Sequence, residues 1–184
     1  MFKNMKIGMR LGLGFGLVVL LMVVIAMIGV RNLESIQGSV KIIVEERYPT
    51  TVLVTTIERN LNVIARALRN LLLVTDTDEL EKERARIIDA RKKIGEALAA
   101  LDKRVVDDKG KAIMKDVGEA RTVYIANQEK LLKLIGENKR DEARAVLLSE
   151  GRQVLGVYME VLGNLVQHEA ALMDEATKQA ETTY

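Results

Sequence analysis

The sequence predicts an all-α fold, an up-down-up-down four-helix bundle in which helix 1 is continuous with an N-terminal transmembrane helix. The 184 residues include a single proline and only 3% aromatic residues, while 48% are hydrophobic and 29% are charged. This composition is typical of helical proteins. Apolar residues recur at helical spacing along four long stretches, and short polar turn signals separate these stretches. Rods of similar length with short connections indicate a bundle of antiparallel neighbours.

The first thirty residues predict a membrane anchor. Residues 1–10 form a basic arm, and residues 11–30, "LGLGFGLVVLLMVVIAMIGV", carry no charge. At about 1.5 Å per residue this run spans the roughly 30 Å hydrocarbon layer. A signal peptide is the competing interpretation, but the apolar run exceeds the usual core of about 7–15 residues and no A-x-A-like site ends it.

The charges beside this run predict its orientation. The arm carries Lys3, Lys6 and Arg10 and no acidic residue, so the positive-inside rule keeps it cytoplasmic. Residues 31–184 are then expected in the periplasm of a Gram-negative cell, as one domain anchored to the inner membrane. Glycines at every fourth position, Gly8, Gly12 and Gly16, either form a seam between two membrane helices or reflect the frequency of glycine in such helices.

The first two bundle helices have one interruption and one clear start. The apolar pattern runs from Asn32 to "LLLVTDTDEL", and Pro49 predicts a kink or break near Tyr48 because proline removes an intrahelical hydrogen bond. Asp78, three residues before Glu81, is expected to form a capping box that opens helix 2. We expect helix 2 to end at about residue 105.

The second half of the chain predicts two more helices and a connector. Helix 3 is expected from about Lys111 to Ile135, with Gly136 as its C-cap. The stretch "ENKRDEARAVLLSEG" predicts a short helical connector, and helix 4 is expected from about Arg152 to the end. The sequence ends before any second membrane helix, so we expect the chain to be part of a longer protein.

Composition excludes several classes of function. Outside the basic arm the charges nearly balance, since the whole chain has 28 Lys and Arg against 26 Asp and Glu, and no basic stripe with aromatic platforms suggests nucleic-acid binding. Cysteine is absent, which excludes disulfides and thiolate chemistry. No catalytic group, metal cluster or cofactor motif is recognisable, so we expect no enzyme, metal or cofactor. His168 is interpreted as a packed or surface histidine, and Glu169 as part of a solvated face.

Polar residues interrupt the apolar seams of the predicted helices. In helix 3 the seam positions include Arg121, Tyr124 and Gln128, between Val117 and Leu131. Arg84 and Arg91 intrude into the seam of helix 2, and Tyr158 occupies a seam position of helix 4. The seam of helix 2 is predicted as Leu80, Arg84, Ile87, Arg91, Ile94, Leu98 and Leu101. The seam of helix 1 is predicted as Val54, Ile57, Leu61, Ile64, Leu68 and Leu71. Beside this apolar seam runs a polar stripe: Arg59, Asn62, Arg66, Arg69 and Asn70.

The antiparallel topology places these residues at one depth. Counted from the membrane-distal turns at about 1.5 Å per residue, eight of them lie between about 9 and 23 Å below the tip: Arg66, Arg69, Arg84, Arg91, Arg121, Tyr124, Gln128 and Tyr158. Buried arginines are costly without a partner, and no seam acid is available at this level. A bound anion would supply the missing charge, and arginine with tyrosine suits a small carboxylate. The alternative is that the arginines extend to solvent or pair with Glu83, Glu119 or Asp89, which are expected to be exposed.

The pattern resembles the extracytoplasmic four-helix-bundle sensor domain of bacterial methyl-accepting chemotaxis receptors, with their first membrane helix. The motifs are "MKIGMRLGLGFG", "RYPTTV", "ARALRNLLL", "ARTVYIANQ" and "EARAVLLSEGR". The resemblance implies a homodimer that binds a small organic-acid or amino-acid ligand and controls chemotaxis through a cytoplasmic signalling module.

The resemblance also implies a set of ligand-binding residues. Relatives that bind organic acids carry an Arg-x-x-Tyr-x-x-x-Arg pattern on helix 3 and a tyrosine on helix 4. Arg121, Tyr124 and Tyr158 match this pattern, whereas Gln128 replaces the second arginine. Arg91 is expected to return the lost charge. Arginines on helix 1 reach across the dimer in such relatives, which would suit Arg59, Arg66 and Arg69.

Other outputs and functions remain open at this stage. The same input domain occurs fused to histidine kinases and diguanylate cyclases, and only the missing C-terminal sequence distinguishes these. A membrane-anchored helical module that binds a protein, without any small ligand, is a further alternative. It predicts that the seam arginines pair with acidic residues.

Overall fold

The computed structural model describes residues 7–41 and 48–182, and these are helical except for short turns. The helices are α1 (Ile7–Lys41), α2 (Tyr48–Leu73), α3 (Thr77–Arg104), α4 (Asp108–Gly136), α5 (Arg140–Val146) and α6 (Arg152–Thr182). A π-helical turn, Leu147–Gly151, joins α5 to α6. The predicted all-α four-helix bundle is confirmed: α2, α3, α4 and α6 are its four rods, and α5 is the short helical connector.

Helix α1 is the candidate membrane span. Its segment Ile7–Glu34 is long and apolar enough to cross a bilayer, and none of its most apolar window is buried against the protein. The helix continues to Lys41, and α2 begins at Tyr48, one residue before Pro49. The expected kink or break near Tyr48 and the expected continuity with the bundle involve residues 42–47, which lie outside the described residues. Most of the basic arm also does.

The core of the bundle is built on the seam of α2. Its six predicted seam residues are all buried: Val54, Ile57, Leu61, Ile64, Leu68 and Leu71. Helix α2 packs mainly on α3, and α4 packs mainly on α6. Each fully buried aliphatic side chain contributes about 1.5–3 kcal/mol relative to exposure, so this apolar seam makes α2 the central rod of the domain.

The seam of α3 differs from the predicted one. Its buried residues are Glu83, Ile87, Ala90, Ile94, Ala97 and Leu101. The predicted Ile87, Ile94 and Leu101 are confirmed, whereas the predicted Leu80, Arg84, Arg91 and Leu98 are not among the buried residues. Alternate steps of three and four from Leu80 reach these four positions. Instead, the alanines face α2 and allow the two helices to approach closely. Arg84 is therefore exposed, and Arg91 lies half-buried at the flank of the seam.

Aspartates cap two of the rods, at other positions than predicted. The Asp76 side chain accepts a hydrogen bond from the Glu79 backbone N–H at 3.0 Å, so the cap of α3 is Asp76 and not Asp78. Helix α4 begins at Asp108, earlier than expected, because Asp107 accepts from the Gly110 N–H at 2.8 Å. An N-cap of this kind contributes about 1 kcal/mol.

The distal connection is tied to the end of α2. Gly136 is the last residue of α4 rather than its C-cap, and the residue with positive φ, at 59°, is Asn138. From the start of α5, the Arg140 guanidinium donates to the Val74 carbonyl at 3.0 Å. This contact ties the connector, which leads into α6, to the distal end of α2.

Candidate functional site

A small cavity of about 70 Å³ lies between all four rods of the bundle. Its polar lining consists of Arg91 from α3, Arg121, Tyr124 and Gln128 from α4, and Tyr158 from α6. Its apolar lining consists of Leu61 and Ile64 from α2, Ile94 from α3 and Ile125 from α4. The antiparallel fold thus brings five of the seven predicted ligand-binding residues around one cavity, although they come from three different helices.

The two tyrosines form the most buried part of the polar lining. Tyr124 is 3% exposed and Tyr158 is 1% exposed, and their ring centroids lie 5.9 Å apart at a tilt of 59°. Neither hydroxyl has a hydrogen-bond partner among the described residues. A buried hydroxyl without a partner is costly, which points to a missing acceptor.

Both tyrosines are neutral hydrogen-bond donors. Burial raises the pKa of Tyr158 to about 12, against the opposing positive charge of Arg121. Burial likewise raises the pKa of Tyr124 well above its ordinary value, against the charge of Arg91. The Gln128 amide also acts to lower the pKa of Tyr124, although it makes no hydrogen bond of normal geometry with the hydroxyl. The phenols therefore keep their protons throughout the physiological pH range.

Gln128 holds Arg91 in place. The Nε of Arg91 donates to Oε1 of Gln128 at 2.8 Å, and the Gln128 side chain is buried. The Nη2 of Arg91 is also buried and has no hydrogen-bond partner in the described part of the chain. One end of the guanidinium is thus fixed, and the other end offers a donor together with the positive charge.

Arg121 reaches from α4 toward α3 over a glycine. A Cβ atom built on Gly95 would lie 3.8 Å from Nη2 of Arg121, so the guanidinium lies beside the backbone of α3. Arg121 is half-buried, and its charge acts on the Tyr158 phenol. Within residues 48–182, neither Arg121 nor Arg91 forms a salt bridge.

The nearest buried acid in the α3 seam serves other residues. Glu83 was expected to be exposed but is only 4% exposed. Its Oε1 accepts from Asn70 Nδ2 at 3.0 Å and from Arg86 Nη1 at 2.7 Å. These contacts join α2 to α3 at the distal end, so this carboxylate compensates Arg86 and leaves the charges at the cavity without an internal counter-charge.

The other two predicted site residues lie outside the cavity. Arg66 and Arg69 are exposed on α2. Arg69 lines a separate surface depression of about 200 Å³, together with Arg152 and the π-turn residues Leu147 and Gly151. Their role as ligand-binding residues stays a prediction, and it would require a site distinct from the buried one.

Part of the lining could have been anticipated from the sequence. Leu61, Ile64 and Ile94 occupy predicted seam positions at the depth of the polar layer, so the same helical spacing that selected the arginines also selects them. Ile125 and Gly95 fall beside the seams. Only the folded structure shows that Ile125 lines the cavity and that Gly95 lies beside the Arg121 side chain.

A second polar contact lies at the opposite end of the bundle. His168 of α6 is 8% exposed, and its Nε2 lies 2.7 Å from Oδ1 of Asp107. Burial acts to raise the pKa of Asp107, but the Gly110 N–H and His168 outweigh it and hold the pKa below its ordinary value. Glu169 was expected to belong to a solvated face, but it is only 1% exposed. The α3–α4 turn is thus attached to α6.

Comparison with known families gives this geometry its context. Residues 4–184 match the family described as a four helix bundle sensory module for signal transduction. The chain belongs to this family. The predicted resemblance to the sensor domains of methyl-accepting chemotaxis receptors is thereby confirmed. No curated protein sequence matches the chain significantly. Membership of a sensory rather than a catalytic family means that the cavity is best considered as a binding site. In the described residues no group of His, Asp and Glu could hold a metal ion.

Proposed function

We propose that this chain is the extracytoplasmic sensor portion of a transmembrane chemoreceptor, which binds a small carboxylate and signals across the membrane to control chemotaxis. The observation that carries the proposal is a set of three buried donors, Arg91 Nη2 and the hydroxyls of Tyr124 and Tyr158, for which the described residues provide no acceptor. A carboxylate is an acceptor with a compensating charge.

The position of the cavity supports a route for the signal. Every rod of the bundle contributes to its lining, so an anion bound there contacts α3, α4 and α6 at once. A guest that draws these helices together favours one relative position of α6 over another, and shifts the population toward it. Displacements of about 1–2 Å between packed helices suffice for such signals.

The rest of the proposal concerns location and assembly. An apolar α1 preceded by a basic arm supports an anchor in the bacterial inner membrane with a cytoplasmic N-terminus and a periplasmic bundle. Family membership supports a homodimer, with output through a cytoplasmic module. A histidine kinase or diguanylate cyclase output would use the same input domain.

The version without a small ligand has less support. It predicts that the arginines in the helical seams pair with acidic side chains. Instead, Arg91 bonds to an amide, and Glu83 bonds to Arg86. Two cations beside two phenols, without an internal carboxylate, favour an external anion.

The proposal is tested by thermal unfolding of the full chain in detergent micelles. Circular dichroism monitors the unfolding, without ligand and with each of a panel of organic acids. Saturation at about 100 times Kd adds about 2.7 kcal/mol, equivalent to about 5–11 °C in Tm for a domain of this size. We expect Arg121→Ala to abolish the shift and the exposed Arg84→Ala to retain it. A shift that survives Arg121→Ala, or no shift with any organic acid, would contradict the proposal.

A further inference from the structure

The size of the cavity restricts what it can hold. Its volume of about 70 Å³ is well below the roughly 300–1,000 Å³ of sites for drug-sized ligands. One water needs about 10–15 Å³ of such space, so the cavity has room for roughly five to seven non-hydrogen atoms. Acetate and propionate are within this number, whereas malate and citrate have more atoms and would require the helices to separate.

The α2 side of the lining is purely aliphatic, whereas every polar side chain comes from α3, α4 or α6. Helix α2 contributes Leu61 and Ile64, while α4 and α6 contribute both tyrosines. Arg91 of α3 also lines the cavity, and its Nη2 is buried without a hydrogen-bond partner among the described residues. A guest with a charged group at both ends would place one charge against aliphatic carbon, where it would be desolvated without a partner. The lining therefore favours an ion that is charged at one end only.

The lining also offers no carboxylate that could accept hydrogen bonds from an ammonium group. The lining contains no acidic residue, and the Gln128 carbonyl already accepts from Arg91. The ammonium group of an amino acid would meet two cations and no carboxylate, a costly arrangement in a buried place. The carboxylate oxygens alone can accept from three donors at once.

From these three restrictions we infer that the guest is a short-chain monocarboxylate of the size of acetate or propionate. Its carboxylate accepts from Arg91 Nη2 and the hydroxyls of Tyr124 and Tyr158, and its alkyl end contacts Leu61 and Ile64. This inference rests on the proposed function and specifies its ligand class, which separates this sensor from those of dicarboxylates and amino acids.

The test compares ligands that differ from acetate by one feature, at equal ionic strength and pH 7.5. Acetate and propionate are expected to raise the Tm of the full chain in detergent micelles. Glycine, which is acetate with an added ammonium group, should not, and neither should malate or the inorganic anion nitrate. If glycine, malate or nitrate stabilises as much as acetate, the inference is wrong while an anion sensor stands. If no organic acid stabilises the chain, both the inference and the proposed function fail.

Two substitutions test the placement of the guest. Gln128→Glu adds an internal carboxylate beside Arg91 with little change of shape and should weaken acetate binding by more than about tenfold, because like charges repel. The exposed Gln153→Glu is the matched control and should bind as wild type. Ile64→Val widens the apolar end and should raise the preference for propionate over acetate by about threefold or more, since each added methylene is worth roughly 1 kcal/mol when buried.

These variants remain informative if one of them is unstable. Ligand-free melting curves establish folding for each variant, and Ile64→Val is a mild change that costs only about 0.5–1.5 kcal/mol. An unchanged propionate preference in folded Ile64→Val would refute the contact of the alkyl end with α2. Wild-type acetate binding in folded Gln128→Glu would refute the role of Arg91.

Discussion

The buried hydroxyl of Tyr158 leads to a prediction of opposite sign for stability and for binding. The side chain is 1% exposed, and its hydroxyl has no hydrogen-bond partner among the described residues. Tyr158→Phe removes this one atom and retains the ring that packs on Tyr124. The ligand-free protein should become more stable, because it no longer buries a donor without an acceptor.

The expected magnitude follows from the cost of such a group. An unpartnered buried polar group costs about 1–3 kcal/mol, which corresponds to roughly 2–10 °C in Tm for a domain of this size. A hydrogen bond to a charged acceptor is worth about 1.5–3 kcal/mol, so carboxylate affinity should fall by about ten- to hundredfold. Burial raises the pKa of Tyr158 to about 12, and neither effect should therefore change between pH 6 and pH 9.

Melting curves followed by circular dichroism, with and without acetate, measure both effects on the full chain in detergent micelles. Tyr48→Phe is the matched control, since Tyr48 is 62% exposed at the start of α2 and should change neither quantity. A Tyr158→Phe protein that is less stable than wild type and binds acetate equally well would refute the reasoning. It would mean that the hydroxyl serves the fold rather than the ligand.

Further predictions concern the proximal turn. Gly110→Ala should destabilise the protein by about 1–3 kcal/mol, because its Cβ would lie 2.4 Å from Val105 Cγ1 and 2.7 Å from Asp107 Oδ2. Gly118→Ala is the control: a Cβ there meets nothing within 4 Å, so the substitution should stabilise the protein by up to about 1 kcal/mol. Chemical denaturation measures the free energy of unfolding of both variants. Equal changes in the two variants would contradict the packing of this turn. Burial acts to raise the pKa of Asp107, but Gly110 and His168 lower it below its ordinary value of 3.8, so its ionised form stabilises the fold above that pH. Chemical denaturation from pH 3 to pH 7 should show that the free energy of unfolding of wild type exceeds that of Asp107→Asn by a constant amount above about pH 5. This difference should shrink as the pH falls below about 4. A difference that grows as the pH falls would contradict the lowered pKa of Asp107.

The depth of residues along the bundle was predictable from the sequence. Helical rise alone placed Arg91, Arg121 and Tyr158 in one layer, because antiparallel rods of known ends leave little freedom along the axis. Rotation about each axis was less predictable. Arg66 and Arg69 have suitable heights but are exposed and do not line the cavity. They lie two and five positions after the cavity residue Ile64, and at about 100° per residue both fall on the far side of α2.

The errors in α3 have a related physical cause. The prediction followed the three- and four-residue spacing from Leu80 and missed Ala90 and Ala97, which are buried in the seam. Small residues form a core wherever two helices approach closely, and that distance is decided by the partner helix. The burial of Glu83 has a different cause. Asn70 and Arg86 donate hydrogen bonds to its carboxylate, and such partners cannot be identified before the packing of α2 and α3 is known.

The most direct measurement of the central claim is a high-resolution experimental structure of the full chain determined in the presence of acetate. We expect one carboxylate inside the cavity, accepting hydrogen bonds from Arg91 Nη2, Tyr124 and Tyr158, with its methyl group against α2. A cavity that holds only ordered water at saturating acetate, or an Arg91 turned away from the two tyrosines, would contradict the account.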